Sequence, residues 1–515
     1  MKRTTSQVAA AGAALVLVAG VAIAQTTVIT HATIVRVSGP PIANGTIVID
    51  GERIVAVGGN VAIPAGAQVI DARGKFAYPG LIDSDTRLGL TEISSVSGGE
   101  DVSEIGTFNP AIATYIAVNP HSELIPVTRV NGVTTVVSSP SGGRIAGVAT
   151  VIDLDGWSPA QMARRPLGML VVEYPQFGAA GGGGFFSRGP RLSLEEQRRR
   201  AEQQIRELGD YFEAARSYAD RKARGTLPAV DRQLEAMVPA MRGEMPVAFS
   251  ANGAEEIMSA VHTAERFGLD AVIVGGRAAW EVADSLAATN VPVILGSILS
   301  NPGEDEDPFD AIYAQPSVLA RAGVKFAFST GDAANARNLP YHAQMAVAHG
   351  LDEETALRAM TLWPAQILGI DQEVGTLEAG KVANLFIADG DPMDVRTTIE
   401  QVFIRGRAIE MGTRHIHGII VIPERATRAS PAPQPRRPSG PSRRSIGAIV
   451  GSYKSAVSKR INQLRGTPGA WVWQRNYYEH VIRDIASLNR IREYIARNPA
   501  RWSDDTENPR RPHGR

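Results

Sequence analysis

Between residues 80 and about 365, short apolar runs alternate with helical patterns, and this alternation restricts the fold more than any other feature of the chain. The runs are GVTTVVSSP (132–140), PLGMLVVEY (166–174), MPVAFSAN (245–252), LDAVIVGG (269–276), VPVILGS (291–297) and VKFAFSTGD (324–332). Each closes in small or polar residues. Helical patterns such as EEIMSAVHTAERFG and AAWEVADSLAATN lie between several of them. Strands and helices at this spacing predict parallel βα units, and the length suits a barrel.

The flanks read differently. Residues 26–78 hold TVITHATIVRV, GTIVIDGERIVAVG and AQVIDARGKFAYPG, which are β-branched stretches punctuated by Gly, Asn and Asp. β character returns in GTLEAGKVANLFIADGD and IEQVFIRGRAIEM, which end at residue 411. The two ends are expected to pair into one small sheet domain. The expected fold is α/β: a (β/α)8 TIM-like barrel over 80–365, with a composite β-sandwich from 25–79 and 366–411. AAGGGGFFSRG (179–189) reads as a loop, and residues 192–225 as a charged amphipathic helix with a solvated face.

Composition changes past residue 411. Of 53 basic and 53 acidic residues, 20 and 7 lie beyond that point, leaving 33 and 46 before it. An acidic body with a basic tail suggests two pieces of different origin or partner. Residues 412–446 read as a Pro/Arg-rich linker, and 447–515 as an α-rich basic fragment. Ile449, Tyr453, Val457, Ile461 and Leu464 form one helical stripe, and Leu488, Ile491 and Ile495 another. At the other end, Lys2 and Arg3 precede an uncharged apolar run (8–24) that closes in Ala22-Ile23-Ala24. This pattern predicts a signal peptide over 1–24, hence export to the periplasm or beyond, with no stable membrane insertion after cleavage. The alternative is an uncleaved anchor at the short limit for a span. The chain has no cysteine, which excludes disulfides and thiolate chemistry.

DARGKFAYPGLIDSDTRLGL and GLDEETALRAMTLWPAQILGIDQEVGTLEAGKVANLFIADGDP resemble the two ends of the amidohydrolase superfamily, in particular its exported, imidazolonepropionase-like branch. The resemblance runs over about residues 27–414. It implies hydrolysis of carbon–nitrogen bonds, commonly in cyclic amides and amino-acid derivatives, with one or two divalent metals of the zinc type. Such a metal lowers the pKa of bound water toward 7 and polarises a carbonyl. The family holds it with an H-x-H after the first barrel strand and, often, a carboxylated Lys on the fourth. A His on the fifth, a His on the sixth and an Asp after the eighth complete the set. Here the H-x-H positions carry Asp85 and Arg87, the fifth-strand position Ser250 and the sixth-strand position Gly275. No lysine lies in the fourth-strand run, and the eighth-strand acid is Asp332. Among the histidines before residue 412, His121 falls in a loop expected near the barrel mouth.

Arginine cannot ligate a metal. Arg87 therefore has two readings. It pairs with Asp85 or Asp332 and fills the site with a salt bridge, or it binds a substrate carboxylate through a two-pronged fork. Ser250, Asn252, Arg337 and Asn338 fall at the expected mouth and are candidate substrate-binding residues. Helix capping is the alternative for Asn252 and Asn338. Asp332 and Asp85 are candidate catalytic bases acting on water, and such proton transfer contributes ~10²–10⁴-fold. These residues suggest a carbon–nitrogen hydrolase with a degenerate metal site and weak or absent activity, or a small-ligand-binding pseudoenzyme.

RHIHGIIVIPER (414–425), VGSYKSAVSKRINQLRGTPGAWVWQRNYYEHVIR (450–483) and LNRIREYIARNP (488–499) resemble a second family, the REP-associated single-strand DNA transposases of the HUH type. This likeness covers about residues 413–509. It implies that His415, His417 and Asn498 hold a divalent metal and that Tyr494 attacks a DNA phosphate. Residues at the spacing of Tyr494 and Asn498 share one helix face. The Arg-rich linker suits a phosphate backbone, so nucleic acid is a candidate partner beside a small-molecule substrate. The family's first half is absent, and AIEMGTRH also fits the amidohydrolase end. The tail thus stands either as a fused fragment or as a working transposase module.

Overall fold

A computed structural model describes residues 26–93, 99–177, 193–301 and 307–409. The expected signal peptide, the Gly-rich loop at 179–189, the linker and the transposase-like fragment lie outside the described residues. So do His415, His417, Tyr494 and Asn498.

The N-terminal strands are β1 (Thr27–Ile34), β2 (Ile42–Asp50), β3 (Arg53–Gly58), β4 (Gln68–Asp71) and β5 (Phe76–Pro79). The barrel strands are β6 (Leu81–Thr86), β7 (Val133–Ser138), β8 (Ile145–Asp153), β9 (Ala163–Glu173), β10 (Val247–Ala251), β11 (Ala271–Gly275), β12 (Val293–Leu295) and β13 (Phe326–Phe328). Three more close the described chain: β14 (Leu385–Ala388), β15 (Ile399–Ile404) and β16 (Arg407–Ile409).

The two ends form one sheet. Its order is β16-β15-β14-β5-β1-β2-β3, with β4 paired to β1. β14 runs antiparallel to β5, which joins the C-terminal strands to the N-terminal ones. Ile29, Ile47, Ile54, Ala77, Leu385, Ile387 and Phe403 share one buried cluster across the two halves. Gly80 marks the passage from this sheet into the barrel. A Cβ there would lie 2.1 Å from Thr134 Oγ1, so only glycine fits.

The barrel sheet runs β6 to β13 in chain order. Seven of its strands point the same way, as expected. The third does not: β8 is antiparallel to both β7 and β9. Sequence reading predicted parallel units throughout and took no strand from 145–153. A two-strand hairpin replaces one βα unit, and Gly142 and Gly143, with φ of 89° and 71°, make its turn.

No direct ladder joins β13 back to β6. The residues after the helix Glu353–Arg358 bridge the gap instead. Ile82 N–H donates to the Met360 carbonyl (2.8 Å) and Phe328 N–H to that of Ala359 (3.2 Å).

The lumen is apolar. Ile82, Val137, Ala149, Val171, Ala248, Val272, Ile294 and Ala327 each come from a different strand and share one buried cluster with Ile367, Leu368, Ile370 and Val374. The segment after the last barrel helix thus plugs the floor. Side chains alternate along a strand, so on β9 and β10, which run toward the mouth, the residue two beyond the lumen position also faces inward, one layer nearer the mouth. On β9 that residue is Glu173, and on β10 it is Ser250.

Outside the barrel, the helix Leu194–Ala223 begins with a capping box in which Ser193 and Glu196 exchange side-chain and backbone hydrogen bonds. It buries Leu208 and Phe212 against the barrel helices. Among the described residues no helix is long and apolar enough to cross a membrane.

Candidate functional site at the barrel mouth

The first strand delivers two charges to the mouth. Arg87 Nη1 lies 3.4 Å from Asp85 Oδ1 and 3.2 Å from the Thr86 carbonyl. Both side chains are mostly buried. Two residues earlier, Asp83 is fully buried and accepts from the Thr330 hydroxyl (2.6 Å) and the Thr330 N–H (3.1 Å). Burial pushes its carboxyl up to about 8, although the Thr330 bonds pull the other way. Gly331 N–H donates to the Asp85 carbonyl at 3.0 Å. The first and last strands therefore meet at the mouth through polar contacts.

The fourth and fifth strands add Glu173 and Ser250, which stand opposite each other in the ladder. Burial raises the Glu173 carboxyl above the ordinary glutamate range. A hydrogen bond from the Ser250 hydroxyl and the positive charge of Arg87 oppose the rise. Because β8 is reversed, its first residues lie at the mouth. Arg144 there donates from Nη1 to the Glu173 carbonyl (2.8 Å), and Glu173 N–H donates to the Arg144 carbonyl (3.0 Å).

The remaining candidates lie at strand ends and in the segment after β13. Gly275, at φ 94°, ends β11, and a Cβ there would lie 2.6 Å from Asn252 Oδ1. Asn252 thus packs where a sixth-strand side chain would stand; its side chain caps no helix, since Gly253 holds the N-cap position. Asp332 accepts from Ala334 N–H (3.0 Å) and from Asn335 Nδ2, which folds the loop after β13. Neither oxygen of Asp332 pairs with Arg87. Asn338 donates to Asn335 Oδ1 (3.3 Å), and the Arg337 carbonyl accepts from Asn131 (2.7 Å). No hydrogen bond or ion pair ties Arg337 or Asn338 to Arg87. The structure therefore groups Asp85, Arg87, Glu173 and Ser250 and leaves Asp332, Arg337 and Asn338 in the loop after β13.

Residues 176–409 match the amidohydrolase family. An amidohydrolase from Thermotoga maritima MSB8 superposes with a TM-score of 0.65 at 23% identity, covering 74% of this chain and 99% of that one. The fold is that of the amidohydrolases. Among curated proteins, Amidohydrolase tasK of Hapsidospora irregularis is 24% identical over 381 residues, 67% of this chain and 37% of its own length. Imidazolonepropionase of Streptomyces griseus is 38% identical over 72 residues, 12% of this chain and 18% of its own length. The chain spans about half or less of the length of the curated relatives it matches.

Amidohydrolases imply a divalent metal, and the residues at this mouth do not fit one. At the two positions that the sequence resemblance assigns to the H-x-H, the Arg87 guanidinium, which cannot ligate, leans on the Asp85 carboxylate. Asn252 fills the space beside Gly275. Among the described residues no three His, Cys, Asp or Glu side chains group as metal ligands. The histidines lie elsewhere. His31 pairs with Asp71 in the composite sheet (2.9 Å). His262 is in the helix Ala254–Phe267. His342 is buried in the helix Leu339–Ala348, and burial pushes its imidazole down to about 4. His121, expected near the mouth, is exposed with its ring 6.5 Å from Trp157, beyond the floor end of β8.

Glu173 is the site residue that sequence reasoning missed. On the fourth strand the family pattern calls for a lysine, not a carboxylate. The apolar run PLGMLVVEY nevertheless carries one carboxyl side chain, and its parity with Val171 points it into the lumen. Arg144 was missed because its strand was missed.

Proposed function

We propose that the chain is an exported protein of amidohydrolase descent whose barrel mouth takes a small molecule with a carbon–nitrogen bond, and that it works without a tightly held metal. The observation that carries this reading is the pairing of Arg87 with Asp85 at the positions where the family carries its H-x-H. Glu173 or Asp85 then serves as general base on water. The base takes a proton as the water oxygen adds to the carbonyl carbon, and returns it to the nitrogen as the carbon–nitrogen bond breaks. A base alone contributes ~10²–10⁴-fold, so turnover of an unactivated amide is slow. The match to Imidazolonepropionase supports a cyclic amide as the starting substrate class.

The test is ring opening of cyclic amides, followed with and without chelator. The reading expects slow hydrolysis that chelation leaves unchanged and that Glu173→Gln lowers by roughly 10²-fold or more. Activity that chelator abolishes and zinc restores would overturn it. Absence of any ring opening would remove the hydrolase part and leave a ligand-binding mouth, which the open face of Arg87 favours.

A further inference from the structure

Arg87 is mostly buried, with its side chain 26% exposed, yet it engages only one of its three guanidinium nitrogens. Nη1 serves Asp85 and the Thr86 carbonyl. Nε and Nη2, the edge that forms a parallel fork with a carboxylate, make no hydrogen bond among the described residues. Arg164 shows the contrast: its Nε and Nη2 clasp Asp153 at 3.1 and 2.7 Å. Among the described residues, the Arg87 nitrogens are not counted with the buried polar atoms that lack a partner. A half-used, largely buried guanidinium among polar side chains is a ready site for a planar anion, because its donors are fixed in a fork that matches two oxygens.

We infer that Arg87 is a carboxylate-binding fork standing where an amidohydrolase would carry its metal, and that the ligand of this mouth bears a carboxylate. The proposal rests on the metal-poor reading above. The Asp85 contact is longer than the usual ~2.7–2.9 Å of a charge-assisted bond, so it steers Nη1 without occupying the fork. Glu173 lies close enough to feel the charge of Arg87 but makes no ion pair with it, and Ser250 holds its carboxyl. An incoming carboxylate therefore displaces no protein partner. With two protein carboxylates nearby, a single fork suits a monoanion better than a phosphate dianion.

The experiment is calorimetric titration of the full chain, in chelator, with acetate, N-acetylglycine and N-acetylglutamate. Each is paired with its neutral amide, and inorganic phosphate is a further probe. The proposal expects at least one carboxylate to bind and its amide to bind roughly tenfold more weakly or worse. Arg87→Lys, which keeps the charge and loses the fork, is expected to weaken binding by roughly tenfold. Arg87→Ala should weaken it further, with folding of both variants checked by circular dichroism. Equal binding of acid and amide, unchanged binding in Arg87→Lys, preference for phosphate, or no binding of any carboxylate would each overturn the fork. Carboxylate binding that appears without chelator and vanishes with it would instead show that a metal holds the anion, and the metal-poor reading would fall with it. Binding that survives chelation but ignores Arg87 would sink the fork alone.

Discussion

Thr330, just past the last barrel strand, donates both its hydroxyl and its N–H to Asp83 on the first, so one buried carboxyl clasps the two strands that no ladder joins. Asp83→Ala orphans the Thr330 N–H and leaves the hydroxyl only its longer contact to the Asp332 carbonyl (3.2 Å). An unmet buried donor costs about 1–3 kcal/mol, and a loss of that size is expected, read as a lower denaturation midpoint. Asp83→Asn should behave differently. The amide oxygen still accepts from Thr330 N–H. The Thr330 hydroxyl accepts from the amide and donates to the Asp332 carbonyl, already 3.2 Å away. The pH dependence separates these cases. The folded carboxyl titrates at about 8 and the unfolded one near 3.8, so the folded state holds the proton more tightly. The contribution is full below about pH 4 and is lost as pH rises through about 8. Asp83→Asn is expected to flatten that fall; an unchanged slope would contradict the clasp.

At the other end of the barrel, Asp153 is fully buried and accepts from five donors. Arg164 gives Nε (3.1 Å) and Nη2 (2.7 Å), and Arg405 gives Nε (2.7 Å). Thr135 (3.1 Å) and Asn384 (2.9 Å) complete the set. The hub ties barrel strands β7, β8 and β9 to the turn between β15 and β16. Asp153→Ala leaves Arg164 buried without its main counter-charge, and a broken buried pair of this kind costs about 3–5 kcal/mol. The expected result is loss of soluble folded protein or a large drop in midpoint. A drop within about 0.5 kcal/mol, typical of surface changes, would contradict the hub.

Gly275 and Asn252 are expected to be coupled. Gly275→Ala suffers twice: its φ of 94° disfavours any Cβ, and that Cβ would sit 2.6 Å from Asn252 Oδ1. Strain at such a position costs on the order of 1–3 kcal/mol. Asn252→Ala removes the collision but not the backbone term. The double variant should therefore recover part of the loss, and a coupling near zero in the double-mutant cycle would contradict the packing.

The barrel was legible because its strands are short apolar runs with small or polar ends, and because the plug and both flanks carry a family pattern. The reversed third strand was not. SPSGGR carries a hairpin signal in its paired glycines, but the expectation of alternating strand and helix outranked it. At the mouth the family pattern pointed to Asp85, Arg87, Ser250 and Gly275, and the structure brings the first three close to Glu173. Glu173 carries no such label. Its role comes from register, which sets it opposite Ser250, and from burial, which raises its carboxyl; neither is visible until the strands are paired. Asp332 shows the reverse case. The sequence places it at the mouth, and the structure adds that its oxygens accept from Ala334 and Asn335 of its own loop.

The central claim is that Arg87 stands in place of the metal, and elemental mass spectrometry tests it most directly. The full chain is purified without chelator, together with a His415→Ala, His417→Ala variant that removes the candidate ligands of the tail. The account expects both to retain far less than one zinc, iron, manganese or nickel per chain. One or more tightly held metals per chain, kept in the double variant, would place a metal in the barrel and contradict the account.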